Sequence, residues 1–224
     1  MDTEHLIRSL AGNVEPVEPL RSPWRRTAAW AAIAALYALV LIVVMSPRSD
    51  LGARMQEPRF LLEQLAALLT GLAAAAAAFA TVVPGRRRTM ALLSLAPLSV
   101  WLGTVAASAA QEYSLAGFSV LTWRTDWACV VTILVGAAVP GVAMVRMLRR
   151  GVPLTPHLSA ALGGLAAAGL GNLGVCLFHP HSSNLILLVW HCGTVLVLAA
   201  LAGAVGTRLL RWPASPNATR HAVV

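Results

Sequence analysis

Along the chain, polar positions gather into a few short stretches and apolar positions fill the long intervals between them. Residues 1–27 are the only sizeable polar piece at the amino-terminal side. Six apolar runs follow, at about Ala28–Met45, Phe60–Val83, Met90–Ala110, Trp127–Leu148, Leu158–Phe178 and Leu185–Gly206. Each is close to the roughly 20 residues that an α-helix needs to cross the hydrocarbon of a bilayer. The pattern predicts an all-α polytopic membrane protein: a six-transmembrane-helix bundle preceded by a short cytoplasmic amphipathic helix. The parts are 1–27 (cytoplasmic segment and linker), 28–212 (membrane domain) and 213–224 (short cytoplasmic tail).

Within the polar segment, Asp2 and Thr3 are N-cap residue types ahead of Glu4-His5-Leu6-Ile7-Arg8-Ser9-Leu10. Leu6, Ile7 and Leu10 fall on one helical face. Gly12-Asn13 should end that helix, and Pro16, Pro19 and Pro23 keep the following chain extended up to Trp24-Arg25-Arg26. The first apolar run lacks a short basic leader and a small-residue cleavage site, so it is expected to remain as an anchor.

Composition agrees with a membrane location. Hydrophobic residues are 58 % of the 224 and charged residues 12 %, against about 25 % charged in soluble domains. An ordinary soluble enzyme is excluded, and so is disorder, which requires low hydrophobicity. All 17 basic residues are arginine and the formal net charge is +8. Direct nucleic-acid binding is not expected, because the arginines flank apolar runs instead of forming one soluble patch. They act as topology signals. Arg25, Arg26, Arg86, Arg87, Arg88, Arg146, Arg149, Arg150, Arg208 and Arg211 fall on one side of a six-span chain; Arg48, Arg54, Arg59 and Arg124 fall on the other. The positive-inside rule then places both termini in the cytoplasm of a bacterial inner membrane.

That topology brings candidate chemistry to the outer side. Cys129 opens span four, Cys176 closes span five, and His179 and His181 lie in the last outer loop. His191 and Cys192 sit roughly 10 Å into span six. Thiolates and imidazoles bind soft and borderline metals, so these six residues form a candidate sensing set for a metal or an oxidant. Buried packing roles are the alternative; on a helix Cys192 points about 100° away from His191. Glu63, one turn inside span two, is expected near the outer surface, and Asn172 shares a face with Cys176. In span five Ala160, Gly164, Ala168 and Gly163, Ala167, Gly171 form two small-residue ridges. Helix packing within one chain is the expected use, with a homo-oligomer as the other. Walker A, HExxH and GxSxG motifs are absent. A small transporter or channel would need a polar path through the spans, of which little is visible. A haem-binding redox subunit would use His179, His181 or His191.

The order of several stretches adds a resemblance. Met1-Asp2-Thr3-Glu4-His5-Leu6-Ile7-Arg8-Ser9-Leu10, with its proline-rich linker and arginine pair, resembles the start of NrsF-type (DUF1109) proteins, which are six-span bacterial membrane proteins. Arg59-Phe60, Cys129 with Pro140, and Arg149-Arg150-Gly151-Val152-Pro153 are similar as well. So is the stretch from Leu177-Phe178-His179-Pro180-His181 through Trp190-His191 to Arg208-Leu209-Leu210-Arg211-Trp212. The resemblance covers essentially the whole chain. It implies an anti-sigma factor, not an enzyme. Such a protein holds an extracytoplasmic-function (ECF) sigma factor at the inner face and releases it on a signal such as a heavy metal or oxidative stress. Residues 1–27 would then be the sigma-binding segment, with Leu6, Ile7 and Leu10 as apolar anchors. No resident cofactor is implied; a metal ion enters only as a signal. The family pattern pairs the span-four cysteine with one in the last outer loop. Here His179-Pro180-His181 occupies that loop, flanked by Cys176 and Cys192.

Overall fold

A computed structural model describes residues 2–12, 20–85, 88–117, 127–178 and 183–211. Among them there are no strands. An amino-terminal helix, Thr3–Gly12, precedes six helices long and apolar enough to cross a membrane. These are span one (Pro23–Met45), two (Pro58–Thr81), three (Thr89–Ala116), four (Trp127–Leu148), five (Pro156–Phe178) and six (Asn184–Ala204). The molecule is a polytopic helical membrane bundle. Span four has the expected bounds. Span one starts five residues earlier than expected, because Pro23 fits the first helical turn and the Ser22 hydroxyl accepts from the Arg25 N–H.

Span five is the hub, packed against spans two, four and six. In its most apolar stretch 67 % of the residues are buried, against 11 % for span one. Its sequence explains that position. With no hydrophobic drive between helices in lipid, close backbone approach is what holds a bundle together, and small residues permit it. Span four meets span five where glycine faces glycine: a Cβ on Gly171 would lie 2.8 Å from the Ala137 nitrogen, and one on Gly136 3.1 Å from the Gly171 Cα. On the other ridge, a Cβ on Gly164 would lie 2.7 Å from the Ala202 Cβ of span six. Both predicted ridges are thus consumed within the chain. Span two is likewise enclosed, with Ala74 through Ala78 fully buried in succession. Larger apolar side chains such as Leu36, Val43, Val44, Val197 and Leu201 point outward, where lipid is the solvent.

Two aromatic side chains of span one are tied to the backbone of span four. Trp30 is fully buried and its indole N–H donates to the Pro140 carbonyl at 2.9 Å. Two turns later the Tyr37 hydroxyl donates to the Val135 carbonyl at 2.9 Å. Span one therefore docks on span four at the expected kink residue Pro140 and five residues before it.

The end of the bundle holding the start of span one is called the amino end below. There the Val152 N–H donates to the Val82 carbonyl (3.0 Å), and Thr81 shares a hydrogen bond with Ser159 (2.7 Å). Arg26, expected only as a topology signal, is buried there. Its guanidinium donates to the Met147 carbonyl and lies 4.5 Å from the Phe79 ring centroid, a cation–π contact.

Two departures from regular α-helix were not foreseen. Span three enters through a 3-10 turn, Arg88–Ser94, and Pro97 then occupies the first turn of its α-helix, where a missing N–H costs nothing. Span six carries a π-helical turn, Leu187–Cys192.

Candidate functional site: an exposed helix and a buried polar cluster

The amino-terminal helix is built by local signals. The Asp2 carboxylate accepts from the Glu4 N–H at 3.4 Å, and Glu4 pairs with Arg8 one turn on. No residue of Thr3–Gly12 is buried. Leu6, Ile7 and Leu10, the predicted anchors, are 42 %, 58 % and 62 % exposed. Covering such side chains is worth about 1.5–3 kcal/mol each when complete, and an isolated helix of this length is marginal in water. The segment thus carries an apolar stripe without a core of its own.

At the opposite end of the bundle, side chains from three spans meet. Asn172 and Cys176, one turn apart on span five, face His191 of span six. The Asn172 carbonyl oxygen is 2.8 Å from His191 Nδ1, and the Cys176 sulfur lies 3.9 Å from the same nitrogen. With Asn172 presenting its oxygen, Nδ1 carries the ring proton. Gln64 of span two also lies beside the Cys176 thiol. His191 is fully buried and Asn172 and Cys176 nearly so. Cys192 is buried too, although the helical angle suggested that it would not share His191's environment; the π-helical turn carries both into the bundle. Cys129 is fully buried at the start of span four, and no disulfide links the three cysteines. Of the predicted sensing set, the structure brings Cys176 and His191 together. His179 and His181 lie outside the described residues. Among the described residues, no three His, Cys, Asp or Glu side chains are placed to hold a metal ion.

Carboxylates frame this end. Glu63 lies toward this end of span two but is buried inside the bundle: the Ser108 hydroxyl of span three donates to it at 3.1 Å, and Arg59 Nε lies 3.9 Å away. Glu112 accepts from the Asn184 N–H at the start of span six, 2.7 Å. Arg48 was missed as a structural residue. Its side chain is buried and gives a 2.7 Å hydrogen bond to Asp50, while its N–H donates to the Leu177 carbonyl (3.1 Å), closing the first loop over the end of span five. Those hydrogen bonds hold the Asp50 carboxyl down at about 2. The spacing Arg48-Ser49-Asp50 after Pro47 was the available signal.

Fold and site together define a class: an all-helical polytopic membrane protein whose exposed element is a short amphipathic helix. The chain belongs to the NrsF family, described as negative regulator of sigma F, whose model matches residues 10–212. It is similar to the probable anti-sigma-F factor NrsF of Azospira oryzae (strain ATCC BAA-33 / DSM 13638 / PS), 28 % identical over 219 residues, which span 95 % of this chain and 100 % of that protein. No solved structure matches it. The family is regulatory.

Proposed function

We propose that this chain is a membrane-bound anti-sigma factor. It holds an ECF-type sigma factor at the cytoplasmic face of a bacterial inner membrane and releases it when a periplasmic stress signal arrives. The observation that carries this reading is the amino-terminal helix: an exposed stripe of Leu6, Ile7 and Leu10 tethered to a membrane bundle, in a chain of this family. A helix of this kind binds by laying its apolar face into a partner's groove. The amino end is cytoplasmic in this reading, supported by the ten-to-four division of arginines in the sequence. Reporter fusions after Gly85 and Gly151 should then read cytoplasmic, and one at Ser182 periplasmic.

The signal is read at the other end, by Cys129, Cys176 and Cys192 with His191 and, from the last loop, His179 and His181. The reactive form of a thiol toward both oxidants and soft metals is the thiolate. Capture of Cys176 separates it from the His191 ring, and spans five and six pass the change to the amino end. Such coupling requires two helix arrangements of unequal affinity for the signal. The π-helical turn Leu187–Cys192 supplies a natural pivot, since turns of this kind concentrate at functional sites.

The test uses the full chain in its membrane. Leu6→Asp with Leu10→Asp should abolish co-purification of the sigma factor and switch its regulon on constitutively, with the protein still present at wild-type level. An unchanged regulon would refute the helix as the binding element. Cys129→Ser should leave sigma-factor binding intact while blocking induction or locking it on. Wild-type responses from all three single Cys→Ser variants would remove the cysteines from the sensing site.

A further inference from the structure

Two apolar grooves run along the amino-end half of span four, one on each side of it. The first, of 490 Å³, lies between spans one and four and is lined by Ile33, Val139, Val142 and Met147. The second, of 460 Å³, lies between spans four, five and six, over Leu134, Gly141, Ala168 and Leu198. Both volumes fall within the range of about 300–1,000 Å³ usual for ligand clefts. They exist because spans four and five present small residues here, including Ala137, Ala138, Gly164 and Ala167.

Their amino ends carry charge. Arg146 lines both grooves, and Arg149, one turn further on, lines the second. Arg149 Nε donates to the Leu209 carbonyl at 2.7 Å, which fixes the side chain while its two terminal nitrogens have no partner among the described residues. Arg146 makes no hydrogen bond or ion pair among them either. Among the described residues the bundle offers these cations no carboxylate: Asp50, Glu57, Glu63 and Glu112 all belong to the opposite end. An arginine at the edge of the hydrocarbon extends its head toward the interface and takes whatever anion is there.

We propose that this surface is a binding site for a diphosphatidylglycerol-type (cardiolipin) phospholipid. Its acyl chains fill the two grooves and its phosphates rest on Arg146 and Arg149. Charge complementarity selects an anionic head, as at other basic pockets between membrane helices. The paired grooves select the dimeric lipid. Two chains joined at one glycerol lie side by side and do not bracket a helix about 10 Å across, whereas two phosphatidyl units joined by a glycerol do. The site is independent of sigma-factor binding.

The test is native mass spectrometry of the full chain in detergent, with cardiolipin, phosphatidylglycerol or phosphatidylcholine added. Cardiolipin should be retained preferentially. Each of R146Q and R149Q should weaken retention roughly five-fold, the worth of one basic residue beside an anionic lipid. Arg208→Gln, an exposed arginine outside the grooves, should not. Ala138→Trp, at a position lining both grooves, should also abolish retention, while thermal melting shows each variant folded. Equal retention of phosphatidylglycerol overturns the bracketed geometry. Equal retention of phosphatidylcholine overturns the headgroup site. A loss with R208Q as large as with R146Q reduces the effect to diffuse surface charge. A dimer mass that replaces lipid binding assigns the face to a second copy of the chain.

Discussion

Span five and the amino-terminal helix are opposite uses of apolar sequence. Span five is apolar all round, and about two thirds of its residues are enclosed, chiefly by spans two, four and six. The amino-terminal helix is apolar on one stripe, and none of its residues is buried. A buried helix gains its stability inside the chain, through backbones that approach within about a van der Waals contact. An exposed amphipathic helix has yet to gain it, and can do so only on a partner. In the function proposed here the hub serves as a rigid frame and the exposed helix would supply the free energy of recognition. Perturbing one should leave the other's task intact.

The largest effect is expected from Gly171→Leu. The new side chain has no space between spans four and five, and overpacking of this kind costs about 3 kcal/mol or more. The detergent-solubilised protein should melt many degrees lower, whereas Leu6→Ala and Leu10→Ala should melt like wild type. A Gly171→Leu protein as stable as wild type would break the contrast.

A second, smaller effect sharpens it within the hub. Asn172→Ala leaves the His191 Nδ1 proton without its acceptor in a buried setting. That costs about 1–3 kcal/mol. The same substitution at an exposed polar residue of the amino-terminal helix, Ser9→Ala, should be nearly silent in melting. Equal effects at both positions would mean that the far-end cluster contributes nothing to bundle stability.

Most of this contrast is legible in the sequence, and the exceptions have physical reasons. The spans follow from run length, and the bounds of span four agree to the residue. The small ridges of span five announce close packing, and the structure supplies their partners, Gly136 and Ala202. What single-chain patterning does not carry is the lateral arrangement of spans. Arg26 counts as a flanking arginine until Phe79 and the Met147 carbonyl are seen around it. Glu63 looks superficial until Ser108 covers it from span three. The meeting of Asn172, Cys176 and His191 needs both the packing of span six on span five and a π-helical turn, and no residue type in Leu187–Cys192 marks such a turn. The amino-terminal helix is the most legible part, because its cap, ion pair and stripe are all local.

The smallest effect concerns pH at the Arg48–Asp50 clasp. Arg48 holds the folded-state carboxyl at about 2, below its usual value near 3.9. A depressed carboxyl stabilises the folded state above its unfolded value and loses that contribution as pH falls through the folded one. The clasp should therefore be complete above about pH 4 and fade toward about pH 2. Because the Asp50 side chain is about half-exposed, the gain is modest and sensitive to salt. Thermal midpoints measured across that window should fall for wild type and stay flatter for Asp50→Asn. Parallel curves would show that the clasp does not contribute.

The central claim is that the stripe of the amino-terminal helix, and not the membrane bundle, grips the sigma factor. A photo-crosslinking residue at Ile7 of the full chain tests it directly, with one at the outward-facing Ile33 of span one for comparison. In uninduced cells the Ile7 probe should yield an adduct with an ECF sigma factor that disappears under the inducing stress, and the Ile33 probe should yield none. No sigma-factor adduct from Ile7 in uninduced cells, or an adduct that persists through induction, would contradict the account.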